Sequence, residues 1–175
     1  MPTLERLRPD HAPALLAFER ENRAYFAASV PDRGDDYFAH FDARHAELLA
    51  EQAAGLHHFH LLVGSEGETP GEAADETPGR VLGRINLVDV ADGSAELGFR
   101  IAEHAAGRGL ATWGVTRLCE LAAAHYGLSS LRAAAAVANP GSTAVLVRTG
   151  FRRVGETLLA GRPGVRYERR LPPAP

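Results

Sequence analysis

"DGSAELGFRIAEHAAGRGLATWGVTRLCELAAAHYG", Asp92 to Gly127, decides how this chain folds. It opens on Asp-Gly, a strong signal for a tight turn between strands. From Ser94 to Ala102 the residues alternate as in a strand. Ala95, Leu97, Phe99 and Ile101 share one face, and Glu96, Gly98 and Arg100 the other. Gly107 and Gly109 then flank Arg108, and an apolar pattern of helical period takes over. Ala111, Val115, Leu118, Ala122 and His125 fall on one stripe, and Gly127 is placed to end the helix. Such glycine pairs usually serve only as tight connections. These two come after a strand and at a helix start, where unpaired N–H groups point outward and the helix dipole favours negative charge. With no Cβ at either glycine, a bulky anion can approach the main chain, and a pyrophosphate would fit. The stretch matches neither a Rossmann nor a Walker loop: it has no G-x-G-x-x-G and no lysine.

Reading outward, Arg80–Val90 is a strand that returns from His57–Val63. Between them, residues 64–79 hold Gly, Pro and five acidic residues, with "ETPG" twice. This is expected to be a flexible, solvated acidic hairpin loop. Downstream, Ser130–Val137 is read as a strand despite its alanines, because it lies between two helices and precedes an Asn-Pro-Gly turn. Ser142 is expected to cap a short helix that runs to Thr149 and ends at Gly150. "FRRVGET" (151–157) and "VRYERRL" (165–171) close the chain as strands, followed by a Pro-rich tail at 172–175. At the front, Thr3–Arg8 is a first strand. Asp10 is expected to cap a helix that breaks near Asn22, "SVPDRGDD" is a loop, and Asp36–Ala54 is a second helix.

The order is strand, two helices, three strands, helix, strand, helix, two strands. The three-strand meander implies antiparallel pairing, and the passage from Ser94 to Val137 a right-handed parallel crossover. The expected class is α/β (α+β): a mixed, mostly antiparallel sheet of about seven strands with helices on both faces.

The 175 residues favour one domain, and 45% apolar with 23% charged residues is ordinary for a globular protein. The net charge of −3 without a basic stripe argues against nucleic acid as a partner. No apolar run is long enough to span a bilayer, and "MPTLERLRPDHAP" lacks a signal-peptide core, so no membrane partner and a cytoplasmic location are expected. One cysteine, Cys119, excludes an intramolecular disulfide. All 19 residues counted as Lys plus Arg are arginine, which removes Schiff-base chemistry and a lysine base. Of His57, His58 and His60, only the last two share a strand face, and no Cys or carboxylate lies near in sequence, so no metal site is expected. Cys119 reads most simply as a small core residue, and Trp113, Tyr25, Phe26 and Phe38 read as core, set against a role as substrate wall.

"GFRIAEHAAGRGLAT" (98–112) resembles the acetyl-CoA-binding motif of the GNAT superfamily of N-acetyltransferases, written Gln/Arg-x-x-Gly-x-Gly/Ala. It falls on Ala106, Gly107, Arg108, Gly109, Leu110 and Ala111, with Ala106 in place of the polar first residue. "VANPGSTAVLVRTGF" (137–151) is similar to a second block of the family at Asn139, Ser142, Gly150 and Phe151. "ENRAYFAASVPDR" (21–33) and "LLAGRPGVRYERRL" (158–171) resemble the RimJ/RimL branch, which acetylates N-terminal amines of ribosomal proteins and also holds antibiotic-modifying members.

The resemblance implies the GNAT fold, with a V-shaped acetyl-CoA cleft between Ser94–Ala102 and Leu131–Val137. It implies cosubstrate contacts at Phe99, Arg100, Ile101, Ala106, Gly107, Arg108, Gly109, Leu110, Ala111, Thr112, Asn139 and Ser142. A main-chain N–H near Phe99–Ile101 would polarise the thioester. Glu96 is the candidate base for the amine, set against an ordinary solvated strand glutamate. The family's tyrosine acid falls on Leu146 and is lost, so Ser142 is the candidate thiolate partner, set against simple capping. No residue matches the late glutamate base of RimL-like enzymes. The implied acceptor is a protein or peptide N-terminus. A small amine or antibiotic is the alternative, and a non-catalytic acyl-CoA-binding module the alternative from another class. GNAT relatives also imply a homodimer, though no stretch marks its surface. The acidic residues Glu66–Glu76 could steer a basic peptide or serve solubility alone.

Overall fold

The computed structural model describes residues 2–64 and 79–173. The expectations for the acidic loop lie almost wholly outside these residues. Among the described residues, seven strands form one sheet: β1 (Thr3–Arg6), β2 (His58–Val63), β3 (Val81–Ala91), β4 (Ser94–Ile101), β5 (Ser130–Ala136), β6 (Arg152–Leu159) and β7 (Arg162–Arg170). Their order is β1-β2-β3-β4-β5-β7-β6, and β4–β5 is the one parallel pair. The β3–β4 turn is Asp92-Gly93 with φ of +50° and +72°, the left-handed pair that matches strand twist in a two-residue hairpin.

Among the described residues, six helices accompany the sheet: α1 (Ala12–Glu21), α2 (Arg23–Ala27), α3 (Asp35–Ala39), α4 (Phe41–Ala53), α5 (Leu110–Ala124) and α6 (Pro140–Arg148). The break expected near Asn22 is present. The single helix expected over Asp36–Ala54 is instead two, joined at His40. Asp10 does not cap α1; it lies in a 3-10 turn and pairs with Arg8 at 3.0 Å, where two opposite charges outcompete a cap. His125 leaves the apolar stripe because α5 ends at Ala124 and the ring points outward.

Both sheet faces are covered. Arg84 and Ile85 are consecutive on β3 and so face opposite ways. Arg84 meets Glu19 of α1, while Ile85 packs on Gly114 of α5 so closely that a Cβ there would collide with it. Residues opposite one another in the ladder share a face. Arg84 and Arg100, Asn86 and Gly98, and Val88 and Glu96 therefore line the α1 side together. Cys119 is buried in the core, and burial pushes its thiol up. His58 and His60 share the α5 face, as their spacing predicts. The His58 ring stacks on Tyr126 at 3.7 Å, and His60 Nε2 lies 2.9 Å from the Tyr126 hydroxyl. Burial holds His60 down at about 4. Among the described residues, no helix is long and apolar enough to cross a membrane, and no three His, Cys, Asp or Glu side chains cluster as metal ligands.

Candidate active site

The parallel pairing of β4 with β5 runs from Ser94–Ser130 to Leu97–Ala133 and stops there. Beyond it, Gly98–Ile101 and Ala134–Ala136 diverge, leaving main-chain groups of β4 without strand partners on that side. A V-shaped cleft opens where the ladder ends, and two cavities meet in it.

The first cavity, about 370 Å³, reaches the glycine stretch. Phe99, Arg100 and Ile101 line it from β4, and Asn139 and Ser142 from the start of α6. Ala106, Gly107, Gly109, Leu110, Ala111 and Thr112 line it from the connection and the first turn of α5. Arg108 is exposed and outside this lining. Gly107 and Gly109 have φ of +76° and +79°, a conformation that disfavours any residue with a Cβ. Both glycines line the cavity, and the space where each Cβ would stand is open. Gly109 caps α5 without a side-chain acceptor, which leaves the first-turn N–H groups available to an anion.

Asn22 braces this region. At the α1–α2 break its Nδ2 donates to Phe18 O at 2.9 Å, and its Oδ1 accepts from the Glu103 N–H at 2.9 Å. The α2 helix thereby fixes the backbone that leads into the glycines, and Tyr25 and Phe26 form the opposite wall. Phe26 is also buried in the core, whereas Tyr25 is 39% exposed and serves as wall rather than core.

The second cavity, about 650 Å³, continues past Arg100 along the α1 face of β3 and β4. Glu96 and Ser142 both line it, so the structure brings the two proposed catalytic residues into one space. Gly98 lies between Glu96 and Arg100 on the same face with nothing near its missing Cβ. Ser142 is not the cap of α6. Asn139 is, accepting the Ser142 N–H at 3.1 Å, because Pro140 begins the helix one residue after it. The Ser142 side chain is thereby released from capping. Leu146 is 1% exposed, faces the core and lines neither cavity, so no acid acts from that position.

The sequence reading missed one feature of the site, a buried carboxylate surrounded by arginines. Glu19, on the inner face of α1, is 2% exposed. It accepts from Arg84 Nη1 at 2.5 Å, from Arg33 Nε and Nη2 at 3.1 and 3.3 Å, and from Arg100 Nη1 at 3.5 Å. Burial alone pushes the Glu19 carboxyl up; the charges of Arg84, Arg33 and Arg100 outweigh it and hold it below its ordinary value. Arg100 is drawn down to about 10, by burial first and by Arg33 next. A signal existed: Glu19 follows Leu15 by four residues on the apolar stripe, and Arg84 interrupts an apolar strand.

A family model described as an acetyltransferase (GNAT) domain matches residues 3–152. No curated protein sequence matches the chain. Among solved structures, the ribosomal-protein-S5-alanine acetyltransferase of Vibrio fischeri superposes with a TM-score of 0.83 at 16% identity, over 95% of this chain and 91% of that one. Mycobacterium smegmatis RimJ, in complex with CoA-disulfide, gives 0.78 at 20% identity, over 95% and 80%. The spermidine N-acetyltransferase of Vibrio cholerae, in complex with CoA and spermine, gives 0.74 at 16% identity, over 97% and 95%.

Proposed function

The chain belongs to the acetyltransferase (GNAT) family, and on that premise we propose that it transfers the acetyl group of acetyl-CoA to the primary amine of a protein or peptide N-terminus. One observation carries the reading. β4 and β5 part after Leu97–Ala133, and the gap runs into a glycine cradle whose positive φ angles and empty Cβ positions suit a pyrophosphate. Gly107, Gly109 and the N–H groups of Leu110, Ala111 and Thr112 would hold that group. Arg108 enters only as a charge at the rim. Phe99, Arg100 and Ile101 would flank the thioester on the edge of β4 that β5 no longer pairs. A main-chain N–H there is suited to the carbonyl oxygen as it gains charge.

In the reaction, the amine nitrogen bonds to the acetyl carbon and the carbon–sulfur bond breaks. Glu96, directly or through water, takes the proton that the amine loses. The Ser142 hydroxyl donates a hydrogen bond to the departing thiolate, which is protonated from solvent through it. The residues alone supply this chemistry, and no metal enters. The reading takes residues 1–175 as one acetyltransferase domain and includes a homodimer, which sedimentation of the purified chain tests.

Thiol release from acetyl-CoA, with mass spectrometry of the acetylated product, tests the assignment. Peptides with a free N-terminus should release thiol and gain one acetyl group. Aminoglycosides and polyamines in the same assay separate the peptide acceptor from a small amine. Tight CoA binding with no release for any amine would leave only an acyl-CoA-binding module.

A further inference from the structure

Among the described residues, the wall of the larger cavity carries more positive charge than is neutralised. Arg33, Arg84, Arg100 and Arg162 line it, against Glu96 as the one acidic lining residue described. Behind the first three stands Glu19, whose two oxygens already accept four hydrogen bonds, the full capacity of a carboxylate. Three guanidinium groups thus share one saturated counterion. Arg84 is buried at 4% exposure, and its Nε has no hydrogen-bond partner among the described residues. A buried donor left in this state is costly unless something else completes the site.

The other two guanidiniums are held ready. Arg100 lies over the Phe26 ring at 4.8 Å and Arg33 over the Tyr37 ring at 4.7 Å, while Glu19 fixes each from one side. Their side chains remain 26% and 31% exposed. Two flat, oriented, partly open guanidiniums beside a third form a site for an oxyanion. Burial first, and then the like charge of Arg33, lowers the proton affinity of Arg100.

We propose that the acceptor of this enzyme carries an anionic oxygen group, a carboxylate or a phosphate, close to its amine, and that Arg33 and Arg100, backed by Arg84, dock it. The inference rests on the acetyltransferase reading and narrows its substrate class. Glu96, Gly98 and Arg100 occupy one strand face at intervals of about 7 Å. This places a base, an open floor and an anion anchor in a row. The same cationic wall repels a second ammonium, which disfavours polyamines, and lowers the proton affinity of a nearby amine, which favours the neutral nucleophile.

The test is one peptide series acetylated by the intact protein, identical except for Asp, phosphoserine, Asn or Lys at the second position, with spermidine as a further arm. The KM for the Asp or phosphoserine peptide should lie about tenfold or more below that for Asn, with Lys and spermidine poorest. The gap should narrow at high salt. Whichever of Asp and phosphoserine is preferred identifies carboxylate or phosphate as the group read. Arg33→Gln should erase the Asp–Asn difference and leave the KM for acetyl-CoA unchanged, because Arg33 lines only the larger cavity. Equal KM values for Asp and Asn, a preference for Lys or spermidine, or undiminished discrimination in folded Arg33→Gln overturns the proposal while acetyl transfer itself stands. Failure to acetylate any arm, with CoA bound, overturns the acetyltransferase reading and this inference with it.

Discussion

Arg84 of β3 and Glu19 of α1 meet in a buried ion pair at 2.5 Å, with side chains 5% and 2% exposed. The pair joins the first helix to the floor of the cleft and anchors the arginines around it. Its carboxylate cannot be neutralised without leaving three guanidiniums facing one another. Glu19→Gln should therefore destabilise the protein by about 3 kcal/mol or more. Urea unfolding measures it; a loss under about 1 kcal/mol would mean that the cluster contributes little to the fold.

Asn139 and Ser142 divide two roles that the sequence had merged. Asn139→Ala removes the α6 cap and should cost about 1 kcal/mol. Ser142→Ala should leave the melting temperature nearly unchanged and lower kcat about tenfold or more. The reverse pattern, in thermal unfolding paired with thiol release, would return Ser142 to a structural role.

Glu96→Gln keeps the shape of the side chain and removes its basicity. The expected result is a fall in kcat of about a hundredfold with the KM for acetyl-CoA little changed. A variant with the wild-type kcat, in the same thiol-release assay, would show that water alone accepts the proton.

Gly109→Ala places a Cβ at φ of +79°, in open space at a residue that lines the cavity. Stability should fall by about 1 kcal/mol from backbone strain, and the KM for acetyl-CoA should rise about tenfold. Calorimetry and initial rates check both; a normal KM would remove residue 109 from the cosubstrate contact.

His60 makes the fold sensitive to acid. The unfolded chain binds a proton near pH 6.5, whereas the folded chain resists it until about 4. Between these values the unfolded state holds more protons, so stability is full above about 6.5 and is lost as the pH falls toward 4. The loss attributable to this ring is about 3 kcal/mol. Denaturant midpoints across that range should fall, and His60→Gln should flatten the decline.

Much of the architecture was legible locally. Alternation along Ser94–Ala102, the Asp92-Gly93 turn and the helical stripe from Ala111 each report a periodicity that short-range sterics impose. Boundaries were less legible at Asp10 and His40, where an ion pair with Arg8 and a local break decided the outcome. Ser142 was misread as a cap because a serine at a helix start looks the same whether or not an asparagine three residues earlier has taken its N–H.

The sequence by itself determined the strand–glycine–helix passage, the second block at Asn139 and hence the family, because these depend on spacing within a short segment. Only the tertiary structure decided that β4 and β5 part after Leu97–Ala133, and that Glu19, Arg33, Arg84 and Arg100 converge. Residues 19 and 100 are distant in sequence, and their encounter follows from sheet register and helix packing. "HAAGRGLATWG" therefore marks one half of the cleft, and the charge that selects what enters the other half comes from elements that no local pattern connects.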